Sequence, residues 1–268
     1  MKRTIIMLAA LSLLPFWGRA QGTESDLESD FRGRFSLEGE HKIAKGLRVG
    51  VEAEARFADD FTSLRRLQAG AGITYKINSR LKAGGGYLFI ENKNSSGEFK
   101  TRHRVYADLV FSHKSGDWKL SLKERVQITH KDVGNVYQNT PNLLASKTRL
   151  KAVYSGFGGI RPYAFAELRL VLNDPALTYS SSQQYDDDGF YYWPLSSVTY
   201  SDTYINRYRG GIGAEWKIDR KNSIDVFFMA DYCYDKEIDT NKLGTKLKSL
   251  TYERTLAPTL GLAYKFSF

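Results

Sequence analysis

The stretch Thr259-Leu-Gly-Leu-Ala-Tyr-Lys-Phe-Ser-Phe268 decides the reading of this chain. Leu260, Leu262, Tyr264, Phe266 and Phe268 alternate with smaller or polar residues. A period of two puts all five on one face of a β-strand. A water-soluble domain gains little from a naked aromatic strand at its terminus, because the end frays and the edge recruits other strands. A barrel needs such a strand, since its last strand must close onto its first. A buried terminal strand of a β-sandwich is the plainer alternative.

Working back from this strand, the same alternation recurs along the chain. Leu47, Val49, Val51, Ala53, Ala55 and Phe57 face one way, with Arg48, Glu52, Glu54 and Arg56 between them. The pattern repeats in 67–77, 81–89, 102–111, 118–128, 161–172, 207–218 and 224–232. Connections alternate too. Tight turns fall near residues 45, 79, 115, 157 and 220, and longer connections near 60, 95, 135, 190 and 240. A sandwich would mix lengths at both ends. Segments of about ten residues with short turns at one end and long loops at the other predict an all-β, antiparallel up-and-down transmembrane barrel over residues 31–268. The short turns would be periplasmic and the long loops extracellular. Eleven strands are read directly, and the even-number rule for bacterial barrels predicts twelve. The polar segment 21–30 then forms or completes another strand, threads the lumen, or compensates for two strands read as one. The stretches 173–203 and 235–248 read as irregular, loop-like segments.

Composition sets further bounds. Within the 268 residues, the first twenty read as a cleaved export signal: Lys2 and Arg3, an apolar run from Ile5 to Phe16, then Gly18-Arg19-Ala20. Removing them takes away three bases and no acids, so the formal charge falls from +9 to +6. No later run is long and apolar enough for a spanning helix, but alternating strands escape that test. Cys233 is the single cysteine, so no internal disulfide is expected. No basic block with interleaved aromatics points to nucleic acid.

The polar strand faces carry the candidate chemistry. Lumen-lining candidates are Glu52, Glu54, Arg56, Arg66, Lys82, Arg102, Arg104, Asp108, Lys119, Lys123 and Arg125, then Arg149, Lys151, Arg161, Glu167, Arg169, Arg207, Arg209, Glu215, Asp225 and Asp231. Bases outnumber acids by two to one in this set. Charges inside a narrow barrel are expensive unless paired, so a salt-bridged lumen is the plain expectation. A pore or pocket for small anionic solutes is the sharper one. Glu124 breaks the pattern by falling on the apolar face. A barrel enzyme would need a nucleophile beside a histidine. His41, His103, His113 and His130 fit no such constellation, so no catalytic residue is expected. Asp186-Asp187-Asp188 lacks the ligand spacing of a calcium loop, and Gly84-Gly85-Gly86 precedes no helix that would make it a phosphate cradle. Neither a cofactor nor a metal is expected.

Two resemblances add to this reading. Residues 47–57 (LRVGVEAEARF), 81–92 (LKAGGGYLFIEN), Arg102-His103-Arg104 and 161–169 (RPYAFAELR) resemble DUF2490, a family of bacterial, Bacteroidetes-type outer-membrane proteins. That resemblance extends to the terminal strand. It implies a barrel in the outer membrane of a Gram-negative bacterium and carries no established activity. The terminal stretch is also similar to the C-terminal signal of outer-membrane proteins, through Gly261, Tyr264, Phe266 and Phe268. By that resemblance it implies the barrel-assembly machinery as a partner, beside outer-membrane lipid. The expected function is a small pore or solute-binding barrel. A structural barrel acting through its outer loops and a lipid-modifying enzyme are the alternatives.

Overall fold

The computed structural model describes residues 23–94 and 96–268. The export signal expected at residues 1–20 lies outside the described residues. In chain order the strands are β1 (Thr23–Ser29), β2 (Arg32–Ala44), β3 (Leu47–Ala58), β4 (Ser63–Lys76), β5 (Leu81–Lys93), β6 (Phe99–Ser115) and β7 (Trp118–Lys131). Then come β8 (Asn142–Tyr154), β9 (Ile160–Tyr179), β10 (Gln184–Tyr185), β11 (Tyr191–Lys217), β12 (Asn222–Thr240) and β13 (Lys246–Ser267).

Eleven of these, β2–β9 and β11–β13, form one closed sheet. Successive members pair antiparallel, and β13 closes onto β2 in parallel, from Thr259 opposite Arg32 to Ser267 opposite Glu40. The eleven strands read directly from the sequence are therefore the ones that close. The twelfth expected from parity is not inserted between β2 and β13. An odd number of up-and-down strands forces one parallel pair, and this seam is it. Of the three expectations for 21–30, the strand is realised: β1 lies parallel to β13, with Thr23 opposite Thr251 and Ser29 opposite Leu256.

The alternation does what the sequence implies. Leu37, Val51, Ile73, Val105, Leu109, Val126, Ile128, Leu150, Ile212 and Leu260 are exposed on the outer wall. Aromatic rings gather at both rims of this belt. At the short-turn end, Trp118 packs on Tyr154 (5.1 Å between centroids), and Tyr264, Phe266 and Phe268 form a stacked run. At the other end, Phe31 meets Phe61 and Tyr208 meets Tyr232. Lys45-Gly46 and Gly116-Asp117 make the tightest turns, and each glycine takes the positive φ that the turn requires.

The segments 173–203 and 235–248, expected as loops, are largely strand. β9, β11, β12 and β13 run 20, 27, 19 and 22 residues, against 12 for β3. They rise past the belt as a projecting sheet. Trp193 of β11 reaches Leu247 of β13, which folds the sheet around Leu195, Ile238 and Leu247. Register shifts at Leu195/Ser197, Thr199/Asp202 and Ile205/Arg207 break the period of two, which is why the pattern there reads as irregular. The β7–β8 connection joins this projection: Gln138 donates to Asp239 (3.0 Å) and Tyr200 to the Val136 carbonyl (2.8 Å).

Candidate functional site

The inner wall carries the charges. The register puts every lumen candidate on the inward face, since Glu54 lies opposite Gln68, Arg56 opposite Arg66, Asp108 opposite Arg125, and Arg209 opposite both Glu167 and Asp231. Gly261 also faces inward, beneath the Phe227 ring, while Tyr264 and Phe266 face outward.

Most of the acids are paired. Glu54 sits between Arg34 and Arg56, with Arg56 Nε at 2.5 Å. Asp108 receives a forked pair from Arg125 (2.6 and 2.8 Å) and Lys123 at 2.8 Å. The Arg125 guanidinium also covers the Tyr106 ring at 3.8 Å. Glu167 receives Arg149 Nε at 2.7 Å and Arg209 at 3.4 Å. Arg209 forks onto Asp231 at 2.5 and 2.7 Å, and this pair is buried. Asp225 accepts from Tyr163 and Lys265, both at 2.8 Å, and Arg161 pairs with Glu215. Lys151 rests over the Tyr163 ring at 3.4 Å. Glu52 receives only Gln68, at 3.4 Å. Such forks satisfy several donors at once, which is what makes enclosed charge tolerable.

Toward the long-loop end the balance fails. Arg66 donates to Asn92 (2.9 Å) and Arg104 to Thr129 (2.9 Å), both neutral. Among the described residues, Arg66, Arg102, Arg104, Lys147, Arg169 and Arg207 have no carboxylate within ion-pair distance. They lie within electrostatic range of one another: Arg66 feels Arg56, Arg102, Arg104 and Arg207, and Lys147 feels Arg104, Arg169 and Arg207, with Glu167 acting the other way. Two like charges about 8 Å apart repel by roughly 2 kcal/mol at an effective dielectric of 20. Buried Arg207 Nε has no hydrogen-bond partner. Sequence reading named five of these six and missed Lys147, because it fell in a stretch without clear phase. It also left out Arg34, which pairs with Glu54 on β3, and Lys265, which pairs with Asp225 on β12.

Two cavities of the lumen share no lining residue. One, of about 1050 Å³, opens among the short turns and is bordered by Glu38, Glu52, Asp108, Arg161, Glu215 and Lys265. The other, of about 240 Å³, lies toward the long-loop end, between β2–β5 and β11–β13. Seven arginines and two aspartates line it. Leu88, Ile90, Gln127, Ala145 and Ala257 point inward at intermediate height yet are buried, so side chains fill the barrel at that level. Aromatic rings lie over inner-wall glycines: Phe165 over Gly211, Tyr163 over Gly213 and Tyr106 over Gly72 and Gly86. The blurred alternation at Tyr163 and Phe165 thus reflects aromatics facing inward.

All four histidines fall on the outer face. The Tyr87 hydroxyl and His103 Nδ1 share a 2.6 Å hydrogen bond, His130 lies beside His103, and His41 stacks on Phe268. His113 stands opposite Leu120. Glu124 is on the outer wall as its phase implies, accepting from Ser146 and from Thr148 (2.6 Å). The Asp186 carboxylate caps its own turn through the Asp188 and Phe190 amides, and no three-ligand metal cluster occurs among the described residues.

A family model described as "Protein of unknown function (DUF2490)" matches residues 34–185, more than half of the chain. The chain belongs to this family. The match runs from β2 to β10 and includes Arg66, Arg102, Arg104, Lys147 and Arg169, while the terminal strand lies beyond it. No curated protein matches this DUF2490 member. Among solved structures it is similar to the NanC porin, at 11% identity and a TM-score of 0.38, over 82% of this chain and 95% of that one.

Proposed function

We propose that this DUF2490 protein is a non-enzymatic barrel of a Gram-negative outer membrane that takes small anionic solutes into its lumen and passes them across. The observation that carries the reading is the group of inward cations without carboxylate partners toward the long-loop end, Arg66, Arg102, Arg104, Lys147, Arg169 and Arg207 among them, on a wall whose acids are mostly paired. Structural pairing alone would have no use for that excess, whereas a passing anion would neutralise it. The outer belt of apolar side chains with aromatic rims suits lipid. The short turns then face the periplasm, and the terminal strand is the segment offered to the assembly machinery. The packed level between the cavities makes this a narrow, solute-binding path. The first experiment is single-channel recording of refolded protein in a planar bilayer under a salt gradient. Small steps with anion preference are expected, and Arg102→Gln with Arg104→Gln should weaken that preference. A folded barrel that stays silent, or that prefers cations, would overturn the reading.

A structural barrel acting through its outer loops is the second reading. It is favoured by Tyr185, Phe190 and Leu243, each more than 70% exposed at the tip of the projection. Capture of a surface partner that is lost on replacing Tyr185 and Phe190 would support it.

A further inference from the structure

The smaller cavity differs from the rest of the lumen in how its arginines arrive. Between Arg56 and Phe57 the β3–β4 register slips, so that Arg56 faces Arg66 while Phe57 faces Leu64. Arg65 is the extra residue of this bulge. A bulge re-aims a side chain that strict alternation would send outward, and both Arg65 and Arg66 line the cavity. Arg207 comes from the facing side of the barrel, its buried Nε without a partner. Arg66 spends its Nε on Asn92, leaving its outer nitrogens to the cavity. The other four lining arginines are engaged: Arg32 with Asp30, Arg34 and Arg56 with Glu54, and Arg209 with Asp231. Three guanidinium groups from two walls therefore line the cavity without an ion-pair partner, and Asp235, the lining acid not paired with an arginine, accepts from Asn206 (2.9 Å). A single carboxylate would satisfy one fork, whereas a tetrahedral dianion presents oxygens in several directions at once.

From this arrangement we infer that the cavity is a discrete seat for a phosphate group, free or carried as the monoester of a small molecule. The inference rests on the anion-passing reading and adds a defined binding site to it. Arg65, Arg66 and Arg207 hold the group, and Asn92 fixes Arg66. No bond is made or broken.

The test is calorimetric titration of the refolded barrel in detergent at fixed ionic strength, with inorganic phosphate and glycerol 3-phosphate as probes and acetate as control. Saturable one-site binding of a phosphate probe is expected, with acetate giving no saturable signal. Loss of one charge-assisted fork should weaken binding about tenfold or more in Arg66→Gln and in Arg207→Gln. Lys45→Gln, in the β2–β3 turn at the other end of the barrel, should bind as the parent does. The two probes separate the sources: tighter inorganic phosphate marks a seat for the free ion, and tighter glycerol phosphate a seat for the ester. Each variant is first shown to keep the strand circular dichroism of the parent. If either glutamine variant does not fold, Arg66→Lys and Arg207→Lys replace it, keeping the charge and losing the fork. Absence of saturable binding, or binding unchanged in the folded Arg66 and Arg207 variants, overturns the seat. Reversal potentials in chloride read the broader function separately. Anion preference without phosphate binding sinks the seat alone, and loss of both sinks both.

Discussion

At the scale of single residues, the lumen separates charges that hold the barrel together from charges left over. Arg209 and Asp231 belong to the first kind, being buried and forked onto each other. Asp231→Asn would leave an enclosed guanidinium partly uncompensated and should cost about 3–5 kcal/mol. Urea midpoints in lipid vesicles measure this, and an unchanged midpoint would show that water reaches the pair. Glu124 tests the outer wall. Its carboxylate sits in the apolar belt, satisfied by Ser146 and Thr148. Glu124→Leu restores the alternation and should be neutral or stabilising by about 1 kcal/mol in the same assay. A large loss would mean that the polar notch serves folding. Alternation in the sequence was enough to place Glu124 outside and Arg209 inside. Which charges find partners was not legible, because pairing depends on shear between strands. Arg149 and Glu167 meet across β8 and β9, whereas Arg66 faces Arg56.

At the scale of elements, two devices govern how strands meet. The first is the fit of an aromatic ring over a glycine on the next strand, as with Phe227 over Gly261. A methyl group at Gly261 would collide with that ring, so Gly261→Ala should destabilise by about 1–3 kcal/mol. Phe227→Leu in the same chain should return part of the loss, and an additive double variant would refute the coupling. The second device is the projecting sheet, which sequence reading took for loops because its bulges erase the period of two. There Lys236 is buried against Asp174 (3.3 Å) and Asp202. Burial pushes the Asp174 carboxyl above its ordinary range, with Lys236 pulling the other way. A carboxyl that binds its proton more tightly when folded contributes stability that is fully present below its ordinary value and is lost as pH rises through the raised one. Amides of 191–199 should therefore be better protected from hydrogen exchange near pH 4, the ordinary aspartate value, than at pH 7, after correction for intrinsic rates. Asp174→Asn should remove the difference. Weaker protection near pH 4 would contradict the sign.

At the scale of the whole molecule, the eleven-strand closure is the feature that the sequence approached most nearly and still missed. Eleven segments were legible, and so was the mismatch between their number and an even barrel. The resolution lies in chain direction. β2 and β13 both run from the long-loop end toward the turns, so they meet in parallel without a twelfth strand. No local pattern reports this, because strand polarity at a seam depends on where the chain enters the sheet. Ser36 and Ala263 are partners across the seam, both on the inner face. Directly opposed strand residues stand within the span that a disulfide bridges. With Cys233→Ser removing the native thiol, Ser36→Cys and Ala263→Cys should join under mild oxidation in the folded barrel. The cross-linked chain should keep its strand content and resist unfolding more than its reduced form, since the bond closes nearly the whole chain into one loop. An additional strand between β2 and β13 would hold the two positions about 10 Å apart, twice the spacing of adjacent strands, and no bond would form. An antiparallel seam would break the parallel ladder of partners. Moving both cysteines together, to Glu38 and Lys265, should give the same cross-link, whereas Ser36 with Lys265 or Glu38 with Ala263 should not.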